Sequence, residues 1–346
     1  MLRWMAKEAT RINLPKAGYH GGLVLDEMNI QKDLQIVSKG AEWRMVGLPE
    51  IGEGSSAMTA MTHKKESLML ADHVLQFMFH GLTGFRMPFA CFPTNQANAS
   101  DLFLAFWKAI HLLRDWHFHV QYLSIDGSSN NRAFVKMLFE GDPLQSKMTI
   151  INRADRDQKV TIIPDPSHLI KKVRNAAFNS GESESHTRLL KVEGKKIIWK
   201  HWENAFEWGQ DREVNPVAPH PKIAKEFIYL SDPAKMRNFF AEETLNENML
   251  VLMKSFQASL DEEKASELSS TVKFLEHTSV LVKNFKDRRP ISAIQDQRLC
   301  ENQNVLTWFQ QWEKNASKSS EMMSAKCRED LAWMITGFED LVYRML

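Results

Sequence analysis

Two aspartates stand where a carboxylate can do metal chemistry. Asp26 lies inside an alternating segment, GLVLDEMNI at 22–30, on the parity that also carries Val24, Met28 and Ile30. A carboxylate on a face that wants burial requires a partner or a metal ion, because an isolated ionised group is expensive to desolvate. Asp126 closes a second strand-like run, FHVQYLSID at 118–126, and leads through Gly127-Ser128-Ser129-Asn130-Asn131-Arg132 into a helical pattern. Where these two strands are neighbours, the carboxylates meet near one edge of the fold, and a shared divalent cation offsets their repulsion. Two plainer readings stand beside this one. Asp26 also fits a charge on an edge strand, and Asp126-Gly127 fits a turn in which the aspartate bonds local backbone N–H groups. A phosphatase-type Asp-x-Asp motif is set aside, since Met28 occupies the second carboxylate position.

A second chemical candidate is the helix start in IPDPSHLIKKVRNAAF at 163–178, where Lys171, Lys172 and Arg174 follow His168. This is either a capped amphipathic helix with solvated lysines or a phosphate contact. Further basic clusters, Lys191-Lys195-Lys196-Lys200 and Lys283-Lys286-Arg288-Arg289, are balanced by acidic runs at 242–243 and 261–263. Trp199, Trp202 and Trp208 with Phe206, and later Trp308, Trp312 and Trp333, read as core residues. The Gly47–Gly54 stretch lacks the Lys-Ser/Thr of a P-loop, so that nucleotide site is excluded. His73, His111, His117, His119, His168 and His186 show no metal-ligand spacing.

The elements that must position these groups fall into two blocks. The first reads as an amphipathic helix in MLRWMAKEATRINLP, a strand at 22–30, a hairpin turning at Lys39-Gly40, a loop at 51–66, and strands at 73–79 and FRMPFACF. A helix at 98–116 follows, capped by Asn98 or Ser100, with Leu102, Phe103, Phe106, Ile110 and Leu113 at helical spacing. A strand at 118–126, a helix at 132–140 and a strand at 159–164 complete the order β-β-β-α-β-α-β, a mixed sheet with helices on its faces. Beyond Asp165 the pattern is helical at 167–178, 199–208, 235–259, 264–284, 298–314 and 324–345, with one hairpin in KVEGKKIIW at 191–199.

The whole is an α/β domain over 1–164 followed by a mainly α domain over 165–346. A chain of 346 residues is long enough for two cores. With 44 Lys+Arg against 43 Asp+Glu, a net charge of +1 removes the argument for nucleic acid from a strongly basic whole-protein field. Cys91, Cys300 and Cys327 form no CxxC pair, so neither a disulfide framework nor a zinc finger can be built from them, and a reducing compartment is expected. No membrane span and no signal peptide are expected, since charges interrupt every apolar stretch.

In order and spacing, LDEMNI, SIDGSSNNR and DPSHLIKKVRN resemble the P-element-type transposase family, relatives of the THAP-domain transposases. The resemblance continues through SDPAKMRNFFAEETLNENM, TSVLVKNFKDRRP and NVLTWFQQWEKN. It implies an RNase H-like catalytic domain interrupted after its fifth strand by a helical insertion domain of the GTP-binding type. It implies that Asp26 and Asp126 are the first two catalytic, metal-holding members of an Asp-Asp-Glu site for Mg²⁺ or Mn²⁺. DNA as partner, a homo-oligomer and a nuclear location follow from the resemblance alone, as does GTP, for which no ligand residue carries over.

Two family features have no counterpart here. The third acid, a glutamate expected after the insertion in a stretch like Asn-Ser-Asp-x-x-Glu-Asn, is not met before Leu346, and no Cys/His set forms the N-terminal zinc module. Glu329 and Glu339 lie in the helical pattern without such a motif, and Asp165 is as well placed to cap its helix as to join the aspartate pair. Two functions therefore remain in competition: an RNase H-like DNA cleavage and strand-transfer core, or a catalytically inactive fragment that binds DNA or protein.

Overall fold

The computed structural model describes residues 1–39, 42–50, 70–140, 148–184, 186–215 and 222–346. The expected loop at 51–66 lies outside these residues. The chain divides into a first unit of Met1–Pro164 with Thr336–Leu341, and a second of Asp165–Ile335 with Val342–Leu346.

In the first unit, helix α1 (Leu2–Arg11) buries Met5 and Ala9 at a spacing of four, the inward face of its amphipathic pattern. Strand β1 (His20–Asn29) is followed by a separate two-stranded hairpin, β2 (Gln35–Lys39) and β3 (Glu42–Val46). Then come β4 (His73–Gly81), β5 (Arg86–Thr94), α2 (Ala99–Asp115), β6 (His119–Ile125), α3 (Ser129–Phe139), β7 (Thr149–Ile151) and β8 (Lys159–Pro164). The main sheet has the order β5-β4-β1-β6-β8-β7. β1 pairs antiparallel with β4 and parallel with β6, and β6 pairs parallel with β8. Apart from the short edge strand β7, which the sequence did not suggest, the order is the expected β-β-β-α-β-α-β.

The core follows from register. Leu23 pairs with Phe79 and Leu25 with Phe77 on β4, and Leu23 pairs with Leu123 on β6. All five are buried, and each contributes roughly 1.5–3 kcal/mol relative to exposure. α2 is capped by Asn98, which accepts the Asp101 N–H at 2.9 Å, and it buries Leu102, Phe106, Ile110 and Leu113 as its spacing requires. Phe106 meets Phe134 of α3 edge-on at 5.6 Å, which joins the two helices.

On the opposite parity the Tyr122 ring lies over Gly22, where a Cβ would come within 2.2 Å of it, so only glycine admits this approach. The Tyr122 hydroxyl meets His80 Nδ1 at 3.0 Å, and burial pushes the phenol up to about 12.

The second unit is mainly helical: α4 (Pro166–Phe178), α5 (Lys200–Gln210), α6 (Lys225–Ile228), α7 (Asp232–Lys235), α8 (Asn238–Leu245), α9 (Glu247–Ala258), α10 (Glu262–Lys286), α11 (Gln297–Asn315) and α12 (Ala325–Met345). α12 also contributes Thr336–Leu341 to the first unit, where a Cβ on Gly337 would lie 2.3 Å from the Ile162 carbonyl oxygen. The hairpin at 191–199 is β9 (Leu190–Val192) and β10 (Lys195–Ile197), turned by Glu193 and Gly194 at φ of 51° and 79°. Two positive φ values in succession are what a tight hairpin turn needs.

The single helix expected over 235–259 is instead α7, α8 and α9. It breaks at Asn246, which accepts the Met249 N–H at 3.1 Å and caps α9. Of the tryptophans expected in the core, Trp199, Trp202 and Trp312 are buried, and their indole N–H groups donate to the carbonyls of Ile228, Thr244 and Lys191, whereas Trp208, Trp308 and Trp333 are half-buried.

A buried histidine makes the second unit acid-sensitive. His201 is bonded through Nδ1 to Thr271 Oγ1 at 2.6 Å, and burial lowers its pKa from 6.5 to about 4. The unfolded chain takes up this proton near 6.5, while the folded chain resists until about 4. Stability is therefore complete above that window and falls as pH drops through it, by about 3 kcal/mol for this group. His277, stacked on Trp308 at 4.3 Å, shifts in the same direction through burial. Urea unfolding of the wild type should weaken steeply between pH 6.5 and 4, and His201→Gln, which does not titrate, should flatten the profile; parallel profiles would contradict this.

Candidate functional site

β1 and β6 run side by side, with Val24 opposite Ser124. Asp26 lies two residues beyond Val24, and Asp126 directly follows Ile125, the last residue of β6. Asp126 thus leaves the carboxyl end of β6, and Asp26 lies in β1 just beyond its pairing with β6, on the side of the sheet where α/β folds open to ligands. They line one recess of about 260 Å³, together with Glu27, His73, Gln96 and Asn131.

The face expected for Asp26 is corrected by the register. Asp26 is exposed, and so are Met28 (59%) and Ile30 (36%) on the same parity. Leu23 and Leu25, facing Phe79 and Phe77, are the residues that β1 buries, and the β1–β6 pairing ends at Val24. Asp26 is therefore a carboxylate at an open strand end and not a buried charge.

Each aspartate is held through one oxygen. Asp126 Oδ1 accepts the Ser128 N–H at 2.9 Å and the Asn131 side-chain amide at 2.6 Å. Ser128 in turn caps α3 by accepting the Asn131 N–H at 3.3 Å, so the turn and the helix start form one hydrogen-bonded unit. Asp26 Oδ1 accepts the Glu27 N–H at 2.9 Å. The Oδ2 atoms of both have no hydrogen-bond partner among the described residues, which leaves one acceptor on each for a cation.

Around them stand groups that the sequence did not single out. Glu27 Oε1 accepts the Thr94 hydroxyl and the Ala97 N–H, the latter at 3.0 Å. Asp72 binds His73 Nδ1 at 2.7 Å and Lys32 Nζ at 3.1 Å, and the hydrogen bond from His73 holds its carboxyl below the usual range. His73 pairs with Asn29 across β1 and β4, so the strand pairing brings it to the recess that Asp26 also lines. Spacing along the chain carries no trace of it.

Residues 2–139 match the family model described as TNP-like, RNase H N-terminal domain. A solved structure, the Drosophila P element transposase strand transfer complex, is similar with a TM-score of 0.69 at 16% identity. The match covers 95% of this chain and 66% of that chain, so this chain spans just under two thirds of its length. No curated protein matches. The fold is similar to that of the P element transposase.

Among the described residues no group of three or more His, Cys, Asp and Glu side chains is arranged to hold a metal ion. Glu339, in the part of α12 that belongs to the first unit, does not line the recess, and burial raises its pKa. Asp26 and Asp126, each with a free oxygen, fit two positions of a divalent-cation site.

Asp165 is a capping residue. Its Oδ1 accepts the N–H groups of Ser167 at 2.7 Å and His168 at 3.3 Å, and its Oδ2 meets His168 Nδ1 at 3.0 Å. Burial works against its ionisation, and the His168 ring with the two N–H groups outweighs burial, so its pKa is lowered. Asp165→Ala should cost about 1 kcal/mol in urea unfolding, the usual loss for an N-cap; an unchanged midpoint would contradict the capping role.

The basic segments are engaged within the second unit. Lys172 pairs with the buried Asp330 at 2.9 Å. Arg174 is fully buried and donates to Asn175 Oδ1 and the Lys235 carbonyl, so these two residues hold the fold and are not presented to phosphate. Lys191, Lys196, Lys200, Lys286 and Arg289 pair with Glu321, Glu182, Glu203, Glu242 and Asp287. Among the described residues no helix is long and apolar enough to cross a membrane.

Proposed function

We propose that this chain is a transposase-derived protein whose residues 1–164 form an RNase H-like DNA cleavage and strand-transfer core, with 165–346 as a helical insertion domain. The observation that carries the reading is the pair Asp26 and Asp126, on adjacent parallel strands beyond their last pairing and lining one recess, each with an Oδ2 that has no hydrogen-bond partner among the described residues. Bound Mg²⁺ or Mn²⁺ supplies activation of an attacking hydroxyl and stabilisation of the leaving oxygen of a phosphodiester. Asp26 and Asp126 hold the cations, and Asn131 with the Ser128 N–H keeps the Asp126 carboxylate turned to a fixed position. DNA is the partner, and the nucleus is where such a protein acts. The test is incubation of the purified chain with labelled duplex DNA and Mn²⁺. Strand cleavage that disappears in Asp26→Ala and Asp126→Ala supports the reading, and cleavage that persists in both contradicts it.

One observation favours a second reading, a catalytically inactive DNA- or protein-binding fragment. Among the described residues no group of three or more His, Cys, Asp and Glu side chains is arranged to hold a metal ion. This reading predicts Mn²⁺ binding without cleavage.

A further inference from the structure

Ala97, in the connection between β5 and α2, is gripped from both sides. Its N–H donates to Glu27 Oε1 at 3.0 Å, and its carbonyl accepts from Asn130 Nδ2 at 3.0 Å. Glu27 is the residue after Asp26, and Asn130 precedes Asn131, the side chain that fixes Asp126. Ala97 is 2% exposed, and Thr94, whose hydroxyl also donates to Glu27, is fully buried. The residue between them in the wall of the recess, Gln96, has a φ of 58°, a left-handed conformation that a non-glycine residue keeps when its surroundings impose it.

We propose that Glu27 and Asn130 are positioning residues that clamp Ala97 and thereby fix the separation of Asp26 and Asp126. Each is one or a few residues from an aspartate, on β1 and at the start of α3, and residue 97 is the fixed post to which both are tied. The two strand ends are joined by no ladder hydrogen bond beyond Val24, so this bracket supplies the connection that the sheet does not. Glu27, which its place beside Asp26 would suggest as another cation ligand, has its Oε1 committed to two donors instead. Groups that orient ligands in this way are worth about 10–100-fold in metal affinity.

The inference rests on the aspartate pair as the cation site, and two measurements on the full chain separate them. In the first, Mn²⁺ is titrated into wild type, Glu27→Ala, Asn130→Ala, the double variant and Glu27→Gln. Each alanine variant should weaken binding about 10–100-fold, and the double variant little more than either single, because both act through one residue. Glu27→Gln keeps the acceptor oxygen and should restore most of the affinity. Wild-type affinity in the singles, additive losses, or a glutamine variant as weak as alanine would overturn the clamp; the last would make Glu27 a ligand.

The second measurement needs no cation: amide hydrogen exchange at Ala97 should be slow in the wild type and accelerate in both alanine variants. Unchanged exchange overturns the clamp whatever the titration shows. Loss of binding in Asp26→Ala and Asp126→Ala with intact binding in the clamp variants overturns the clamp alone; equal binding in the aspartate variants and the wild type overturns the cation site.

Discussion

Asp126→Asn is expected to abolish cation-dependent DNA cleavage while leaving the chain folded. Asparagine keeps a side-chain oxygen for the Ser128 N–H at 2.9 Å and for the Asn131 amide at 2.6 Å, so the turn into α3 survives. What it loses is the charge on the oxygen left free for a cation. A metal site contributes several kcal/mol to phosphoryl-type transition states, so the cleavage rate should fall by about 10³-fold. Without divalent cation the asparagine variant should stay folded and melt close to the wild type, since both donors keep their acceptor. Asp126→Ala should lose cleavage equally and should also destabilise, by about 1 kcal/mol, because the Ser128 and Asn131 donors lose their acceptor. The comparison of the two variants, by cleavage assay and thermal unfolding, separates charge from turn geometry.

The second large effect is at Trp202. It is fully buried, stacks on Trp199 with centroids 5.0 Å apart, meets Phe274 edge-on at 6.3 Å, and donates its indole N–H to the Thr244 carbonyl at 3.0 Å. Trp202→Ala leaves a cavity at the centre of the second unit and should cost about 3–5 kcal/mol. Trp202→Phe fills most of that space but leaves the buried Thr244 carbonyl without its donor, so it should cost about 1–3 kcal/mol. Urea unfolding followed by tryptophan fluorescence should rank wild type above phenylalanine above alanine. An alanine variant as stable as the wild type would contradict the packing described for this cluster.

Much of the fold is legible in the residues themselves, because period and caps are local. Asn98, Asp165 and Ser324 start helices as their types require, and the Glu193-Gly194 turn closes the hairpin where the pattern breaks. The parity of β1 is not legible, since GLVLDEMNI places apolar residues on both faces and a central strand in a mixed sheet is commonly apolar on both. Only the pairing with Phe77 and Phe79 decides that Leu23 and Leu25 are inside. The helix expected over 235–259 hid its breaks because apolar spacing runs through Asn246, whose capping role is the local signal that was available.

Asp26 and Asp126 could be placed at strand and turn positions because those features are local, and both line one recess. His73, Glu27 and the post at Ala97 could not. Their partners lie across the sheet or 70 residues away in the chain, as in the Ala97–Glu27 bond, and no spacing rule reports such contacts. The phosphate reading of Lys172 and Arg174 failed for a related reason: a solvated basic face and one tied to Asp330 and to a backbone carbonyl look alike until tertiary partners are known.

Asp26 and Asp126 are proposed to hold a divalent cation between them. The most direct test is isothermal titration of Mn²⁺ into the full chain and into Asp26→Ala and Asp126→Ala, with thermal unfolding run alongside to establish that each variant is folded. Saturable binding by the wild type and a loss of affinity of at least about tenfold in each variant are expected. Equal affinity in all three folded proteins would contradict this.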